Sequence, residues 1–304
     1  MARKHSSRQA RKASPPAPRS RRWPMHWPIM AVMAALLVAL AVFWLNRSAP
    51  PRPMHPASPS EVQAAVGQSP DAPERLAVKI VSIRPHDPNA FTQGLFLHGG
   101  SLFESTGLYG ESSLREVNPE TGEVKRRVSV PQQYFAEGLA LADGRLVQLT
   151  WQNQKALVYG LADFKTAGEL PYQGEGWGLC SDGGRRLVMT DGSDRLTFRD
   201  PKTFAVLGEV RVTLAGQPMD RLNELECVDG TIYANVWQTD DILRIDPASG
   251  KVTAVVDASG LLTPAERQTT DVLNGIAWDP GKKTFLITGK LWPKMFEVTF
   301  VPRP

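Results

Sequence analysis

The 304-residue sequence is poor in the side chains from which zinc sites and nucleophilic active sites are commonly built. It contains two cysteines and five histidines, and no spacing among them suits zinc. His5, His26 and His55 precede the candidate domain, and a loop histidine such as His86 or His98 is more often structural or solvated than a ligand. No Ser-His-Asp order, phosphate-binding loop or dinucleotide fingerprint is present, which argues against those classes of enzyme.

The net positive charge of the chain comes from its beginning. Residues 1–47 carry nine Lys and Arg and no acidic residue, so the net charge of +4 leaves −5 for the remainder. A mildly acidic domain without a basic stripe is unsuited to binding a polyanion. We therefore expect no nucleic-acid partner.

The first 45 residues have the pattern of a membrane anchor. Eight Lys or Arg precede residue 23, and residues 28–45 are 18 uncharged, mostly apolar residues. A helix of that length just spans a hydrocarbon core of about 30 Å. The positive-inside rule then leaves residues 1–27 in the cytoplasm. We expect a single-pass protein of the inner membrane with its domain on the periplasmic side, or a secreted protein if the segment is a cleaved signal peptide.

Two further regions follow the anchor. Residues 46–76 are rich in Pro, Ala and Ser and have no apolar period, which predicts a disordered linker. Residues 77–304 are long enough for one domain with a large core. We expect this domain to be a monomer.

A short phrase recurs five times in the domain. Its copies are residues 93–95 (Gln-Gly-Leu), 137–139 (Glu-Gly-Leu), 177–179 (Trp-Gly-Leu), 223–225 (Asn-Glu-Leu) and 274–276 (Asn-Gly-Ile). The steps between the central positions are 44, 40, 46 and 51 residues. A period of this size is typical of a repeat architecture. Because the first residue of the phrase varies, the pattern favours a repeated scaffold that carries one composite site.

The segments between the phrases are typical of strands. Residues 146–149, 187–190, 232–236 and 285–288 are β-rich, and Asp-Pro or Asn-Pro turns separate such segments. Three or four short strands fit in each period, which predicts an all-β fold, a five-bladed β-propeller. Residues 264–270 are the best short helical candidate.

The ends of the domain indicate how the ring would close. The last repeat is one strand short of a full blade, and residues 77–83 have the pattern of the missing strand. We expect this segment to be the outer strand of the final blade, because an open sheet edge promotes aggregation.

The two cysteines occupy equivalent positions in adjacent repeats. Cys180 and Cys227 each lie two residues before an Asp-Gly pair. An oxidising compartment would allow a disulfide. However, equivalent positions in neighbouring blades are often farther apart than the Cα spacing of about 5.5 Å that a bridge needs. We expect two buried thiols.

The variable residues of the phrases should converge at one mouth of the channel that the innermost strands surround. The polar residues that meet there would be Gln93, Glu137, Asn223 and Asn274. Aromatic residues and one lysine belong to the same region of the repeats, namely Phe91, Phe135, Trp151, Trp177, Trp237 and Lys290. An aromatic pocket with a few convergent polar groups is typical of a small-ligand site. A carboxylate in such a pocket should have a raised pKa and could move protons, and a nearby ammonium could stabilise an oxyanion.

These motifs resemble one enzyme family. The segments that carry the resemblance are residues 88–95, 135–139, 149–151, 174–179, 222–226, 235–237, 273–277 and 288–293. In order and content they are similar to the plant-type glutaminyl-peptide cyclotransferases, or glutaminyl cyclases, which have bacterial members. The resemblance covers residues 77 to about 301 and implies a five-bladed propeller unrelated to the zinc-dependent animal enzymes.

The resemblance also implies a reaction and roles. An N-terminal glutamine of a peptide or protein attacks its own side-chain carbonyl with its α-amine, releases ammonia and leaves pyroglutamate, with no cofactor required. Glu137 is then the proton shuttle, Asn223 and Lys290 polarise the γ-amide oxygen, and Gln93 hydrogen-bonds the substrate. The walls that fold the substrate would be Phe91, Trp151, Trp177 and Trp237.

Two other classes of function stay open at this stage. Glu137, Asn223 and Asn274 could together hold a Ca²⁺ ion, as in lactonase-like propeller hydrolases. The domain could also be a binding-only module tethered to the membrane. Glu175, Glu224, Glu226 and Asn274 are expected to organise the scaffold or a structural divalent cation in the channel rather than to act on substrate.

Overall fold

Residues 72–303 are described in the computed structural model, and they form an all-β fold with a single short helix. The first three groups of strands are β1 (Glu74–Pro85); β2 (Thr92–His98), β3 (Ser101–Thr106), β4 (Ser113–Val117) and β5 (Val124–Ser129); and β6 (Ala136–Ala142), β7 (Arg145–Thr150), β8 (Lys155–Gly160) and β9 (Thr166–Pro171). The next are β10 (Leu179–Asp182), β11 (Arg186–Met189), β12 (Arg195–Arg199) and β13 (Val206–Arg211), and the hairpin β14 (Thr213–Leu214) and β15 (Gln217–Pro218). The last are β16 (Leu222–Val228), β17 (Thr231–Val236), β18 (Asp241–Ile245) and β19 (Val252–Asp257), then helix α1 (Pro264–Arg267), then β20 (Leu273–Asp279), β21 (Thr284–Gly289) and β22 (Lys294–Pro302).

Most of these strands form antiparallel four-stranded meanders. Strands β2–β5, β6–β9 and β10–β13 are three separate sheets, each with its strands in chain order. A fourth sheet has eight strands in the order β16-β17-β18-β19-β1-β22-β21-β20. Each repeated phrase therefore lies at or next to the beginning of the first strand of one meander.

Strand β1 joins the two halves of the eight-stranded sheet. It runs antiparallel to β22, from Leu76 opposite Pro302 to Pro85 opposite Lys294, and parallel to β19 over residues 74–77. It thus adds a fourth strand beside β22, as residues 77–83 were expected to do. The strand begins at Glu74, because buried Leu76 pairs with both neighbouring strands, so residues 74–76 are not part of the linker.

The other predictions for the beginning of the chain concern residues before Ala72. The predicted anchor at residues 28–45, the cytoplasmic residues 1–27 and the linker before residue 72 lie outside the described residues. Between residues 72 and 303, no helix is long and apolar enough to cross a membrane. Helix α1 occupies part of the predicted segment 264–270 and begins at a capping box formed by Thr263 and Glu266.

The repeated phrases are sites of very close backbone approach. A Cβ atom on Gly94 or Gly138 would lie 2.5 Å from the amide nitrogen of the next meander's inner strand, and one on Gly178 would lie 2.0 Å from the Asn223 carbonyl oxygen. Only glycine fits such spacing. The aliphatic residue that ends each phrase, for example Leu95, is at most 1% exposed and packs between neighbouring sheets.

The fourth phrase carries Glu224 in place of glycine, and its side chain is buried between inner strands. Its two carboxyl oxygens accept hydrogen bonds from the Leu95 amide, at 3.2 Å, and the Ile276 amide, at 2.7 Å. Burial raises the pKa of Glu224 well above its ordinary value, and the charge of Glu226 adds to this effect. One side chain thereby links β16 to β2 and β20.

The expectation of two buried thiols is wrong. Cys180 on β10 and Cys227 on β16 form a disulfide, with their Cα atoms 5.6 Å apart. The inner strands of neighbouring meanders converge, so equivalent positions on them come within bridging distance. The bond closes 47 residues of chain and ties two meanders together.

Removal of β1 should prevent stable folding. A chain that begins at residue 86 leaves the edges of β19 and β22 unpaired and exposes apolar faces that pack on Leu76 and Val78. We expect this truncation to aggregate or to lose its cooperative thermal transition, as judged by circular dichroism. A chain that begins at residue 72 is the control and should melt cooperatively; equal behaviour of the two chains would refute a closing role for β1.

Candidate active site

The predicted site residues come from two kinds of position in the meanders. Some lie at the beginning of an innermost strand, and others follow the end of the second strand. A hairpin brings these two positions to the same end of its sheet. The first kind comprises Phe91, Gln93, Glu137, Trp177 and Asn223, and the second comprises Trp151, Trp237 and Lys290. All eight line one pocket of about 450 Å³, together with Phe135, Gln238, Asp271 and Val272.

Irregular strand pairing accompanies the first residue of four phrases, and three of these residues, Gln93, Glu137 and Asn223, line the pocket. The registers of β2, β6, β16 and β20 with their second strands each shift at the phrase, as between Ala136 and Leu139 in β6. Such bulges redirect side chains and are frequent beside active sites. In the third meander, β10 begins at the last residue of the phrase, Leu179, and the Gly178 amide donates to Thr190 Oγ1 instead, at 2.7 Å.

A chain of polar contacts crosses the floor of the pocket. Gln93 donates through Nε2 to Glu137 Oε1, at 3.0 Å, and accepts at Oε1 from Asn274 Nδ2, at 3.2 Å. Asn274 Nδ2 also donates to the Thr92 carbonyl oxygen, at 2.9 Å. Gln93 therefore holds one carboxyl oxygen of Glu137 and leaves the other for a ligand. Asn274 supports Gln93 and is not among the pocket-lining residues.

The carboxyl of Glu137 is buried in the pocket and its pKa is strongly raised. Burial raises its pKa well above the ordinary value, the charge of Lys290 opposes this effect, and the charge of Glu175 adds to it. The residue is 5% exposed. A carboxyl of this kind can both accept and return a proton near neutral pH.

Lys290 is the buried cation of the pocket. It follows β21, its backbone pairs with Val272 and Asp271, and its Nζ lies 4.9 Å from the centroid of the Phe91 ring. Burial lowers the pKa of Lys290, while the charges of Glu137 and Asp271 raise it. The side chain can thus stabilise negative charge that develops beside Glu137.

The aromatic residues form two edge-to-face groups around these charges. Phe91 contacts Phe135 at 6.0 Å between ring centroids, and Phe135 contacts Trp151 at 5.8 Å. Trp177 and Trp237 form a T-shaped pair at 5.6 Å. Such pairs contribute about 0.5–1.5 kcal/mol beyond the burial of apolar area, so the walls are held in place before any ligand enters.

Glu175 fixes both groups from behind. Its Oε2 accepts hydrogen bonds from Trp151 Nε1, at 2.7 Å, and from Trp177 Nε1, at 3.0 Å, and its Oε1 accepts from Gln152, at 3.0 Å. Burial opposes ionisation of this carboxyl, but the three donated bonds outweigh it and lower its pKa. An ionised Glu175 therefore sets the angle between two walls.

Two amide oxygens near the pocket are buried without a hydrogen-bond partner among the described residues. They are Oδ1 of Asn223 and Oδ1 of Asn274. A carbonyl oxygen only accepts hydrogen bonds, so Asn223 can polarise a substrate oxygen only through its Nδ2 group. Within residues 72–303, no group of three or more His, Cys, Asp or Glu side chains is arranged to hold a metal ion.

Some pocket residues were not assigned a role from the sequence. Phe135 lies two residues before Glu137, just as Phe91 lies two residues before Gln93. This shared spacing could have predicted from the sequence that Phe135 lines the pocket. Asp271 and Val272 join the pocket through their backbone bonds to Lys290, for which the sequence has no pattern. Trp292, two residues after Lys290, does not line the pocket and is fully buried in the core.

Comparison with known proteins assigns the chain to one family. A family model described as glutamine cyclotransferase matches residues 55–300. The chain belongs to this family. It is 41% identical over 239 residues to a curated glutaminyl-peptide cyclotransferase of Arabidopsis thaliana, covering 76% of this chain and 74% of the relative.

A solved structure of the same family has the same fold. The crystal structure of the Myxococcus xanthus glutaminyl cyclase superimposes with a TM-score of 0.69 at 42% identity, covering 76% of this chain and all of that one. The resemblance inferred from the phrases is therefore confirmed.

Removal of the Glu175 carboxylate should loosen the walls of the site. In Glu175→Ala both indole N–H groups lose their acceptor, and a lost bond to a charged group costs about 1.5–3 kcal/mol. We expect kcat/KM to fall by roughly tenfold or more, mainly through KM. Glu123→Ala, at an exposed glutamate remote from the pocket, is the control. An unchanged KM in Glu175→Ala would show that Trp151 and Trp177 keep their positions without the hydrogen bonds to Glu175.

Proposed function

We propose that this protein converts the N-terminal glutamine of peptides and proteins into pyroglutamate, with Glu137 as the group that moves the proton. The observation that carries the assignment of Glu137 is its buried carboxyl, whose pKa is raised, inside an aromatic pocket that it shares with one ammonium group. Membership of the glutamine cyclotransferase family supplies the reaction.

The reaction requires the transfer of one proton from the α-amine to the leaving amide nitrogen. The α-amine of glutamine attacks the side-chain carbonyl carbon, so a C–N bond forms and the proton of the amine must leave. Collapse of the tetrahedral intermediate breaks the bond to the amide nitrogen, which needs a proton to depart as ammonia. Ionised Glu137 takes the proton from the amine and returns it to the leaving nitrogen, so atoms and charge balance.

Lys290 and Asn223 act on the oxygen that becomes negative. The ammonium of Lys290 and the Nδ2 group of Asn223 are donors fixed on different meanders, and both line the pocket with Glu137. Donors that are oriented before the reaction stabilise an oxyanion without reorganisation. Gln93 holds Glu137 through a 3.0 Å hydrogen bond and so fixes the direction in which its free oxygen points.

The aromatic walls supply orientation. A glutamine side chain must fold back until its carbonyl carbon lies against its own amine. Well-oriented intramolecular reactions gain on the order of 7–11 kcal/mol over their untethered counterparts. The rings of Phe91, Trp151, Trp177 and Trp237 surround the polar groups and would exclude extended conformers.

The same proposal covers the architecture and place of the domain. The five four-stranded groups, the last completed by β1, are the blades of a propeller closed by its own N-terminal strand. Residues 28–45 anchor it in the inner membrane, and the domain works on the periplasmic side as a monomer. The Cys180–Cys227 disulfide supports export, because disulfides persist in oxidising compartments.

Among residues 72–303, backbone amides already occupy most of the carboxyl oxygens that a Ca²⁺ ion between the inner strands would need. Ca²⁺ requires six to eight oxygen ligands. Both oxygens of Glu224 already accept backbone N–H bonds, and Glu226 Oε1 accepts from the Trp278 amide, at 2.9 Å. The unpartnered oxygens of Asn223 and Asn274 are too few to replace them. We derive no step through a metal, and the structural cation stays a prediction.

Loss of the Glu137 carboxylate should abolish most turnover. Glu137→Gln keeps the bond from Gln93 but cannot carry a proton, so we expect kcat to fall by 10²-fold or more with the melting temperature preserved. Glu226→Gln is the matched control, because burial raises the pKa of Glu226 to about 8 although this residue lies outside the pocket. A near-normal rate in Glu137→Gln would remove Glu137 from the mechanism.

Ammonia release distinguishes the three classes of function. The purified full-length chain is supplied with a Gln-initiated dipeptide, with and without excess EDTA, and a peptide without N-terminal Gln is the control. We expect equal release from the Gln peptide in both samples. Release that EDTA abolishes would favour a metal-dependent enzyme, and no release at all would favour a binding-only module.

A further inference from the structure

The turn that carries Lys290 is clamped to the segment that connects β1 to β2. The Leu291 amide donates to the Ala90 carbonyl oxygen, at 2.7 Å, and the His86 amide donates to the Pro293 carbonyl oxygen, at 3.0 Å. The connecting segment ends at Phe91, whose ring faces Lys290 Nζ. The position of the buried ammonium therefore depends on how this segment and this turn fit together.

The side chain of His86, which is 6% exposed, adds further contacts between the same two segments. We call these contacts and the two backbone hydrogen bonds the clamp. Its Nδ1 lies 2.7 Å from the Trp292 carbonyl oxygen, and its Nε2 lies 3.0 Å from Glu104 Oε1. Both partners are acceptors. A neutral imidazole has one N–H and can satisfy one of them, whereas the imidazolium has two and can satisfy both.

The surroundings of His86 are built to hold that cation. Glu104 is 2% exposed and is kept in place by Thr92 Oγ1, which donates to its Oε1, at 2.8 Å. Arg115 lies 3.8 Å from the other oxygen of Glu104 and 2.7 Å from Asp87. The charged groups around the imidazole are thus Glu104 and Asp87, which favour the imidazolium, and Arg115, which is turned towards these two carboxylates.

We propose that His86 is a positioning residue for the cyclisation reaction, and that its doubly protonated ring holds the Trp292 carbonyl and so keeps Lys290 at the reacting oxygen. This inference rests on the function proposed above. Loss of one ring proton would leave one acceptor facing a lone pair and release one side of the clamp. Lys290 would then lose its alignment, and kcat would be affected more than KM.

The direction of the pH effect follows from the pKa of His86. Burial lowers that pKa, but Glu104, the Trp292 carbonyl and Asp87 outweigh burial and raise it above 6.5. The clamp is thus complete at low pH and is lost as pH rises through the raised value. The stability that it contributes is fully present below pH 6.5 and disappears over the same upper range.

The test compares kcat for the full-length wild type and His86→Gln from pH 6 to pH 9. Glutamine has one donor atom and one acceptor atom, so it can satisfy only one of the two acceptors that the imidazolium satisfies. We expect the variant to be at least about tenfold slower at pH 6 and to approach the wild-type rate near pH 9. His98→Gln, at an exposed histidine, is the matched control and should follow the wild type. A wild-type to His86→Gln ratio that is constant with pH would overturn the proposal.

A second variant distinguishes the effect of His86 titration on kcat from the effect of Lys290 titration, which also changes kcat at alkaline pH. Glu104→Gln keeps an oxygen for Nε2 but removes the negative charge, so the pKa of His86 and the alkaline fall in kcat should move down by roughly one pH unit. An alkaline fall in kcat at an unchanged pH would overturn the proposal.

If no chain releases ammonia, the proposed function fails. The melting-temperature difference between wild type and His86→Gln then tests the clamp alone, and it must vanish as pH rises.

Discussion

The close approach of the inner strands is the constraint on which the rest of the structure depends. At Gly94, Gly138 and Gly178 the neighbouring backbone lies where a Cβ atom would be. This spacing brings the residues that precede the glycines within hydrogen-bond reach, so that Gln93 bonds Glu137 across two sheets. It also brings Cys180 to Cys227 and lets one carboxyl, that of Glu224, link three strands.

Burial is the second consequence of that spacing, and it gives the site its chemistry. A carboxyl and an ammonium enclosed by aromatic rings have their pKa values shifted towards each other, because burial disfavours both charges. Glu175 shows the opposite arrangement, since three donated hydrogen bonds keep it ionised. The pocket therefore contains one carboxyl that can exchange a proton and one that serves as a fixed acceptor.

The sequence predicted the elements whose signals are repeated and local. The phrases located the inner strands, and their first residues predicted which polar groups meet. The pairing of Cys180 with Cys227 was missed because the distance between equivalent positions depends on how strongly the sheets converge, which no local pattern contains. Asp271 and the clamp at His86 were missed for a similar reason, since both depend on contacts between distant segments. The first residue of β1 was misplaced because Glu74 and Arg75 have no strand pattern.

The proposed mechanism depends most on a Glu137 carboxyl that takes up its proton at a pH well above the usual range of glutamate. An infrared titration of the free enzyme, taken as the difference between wild type and Glu137→Gln, isolates the carboxyl band of this residue from those of Glu224 and Glu226. The account predicts that the band of the protonated acid appears well above pH 4.5. A carboxylate that stays ionised down to about pH 4.5 would contradict it.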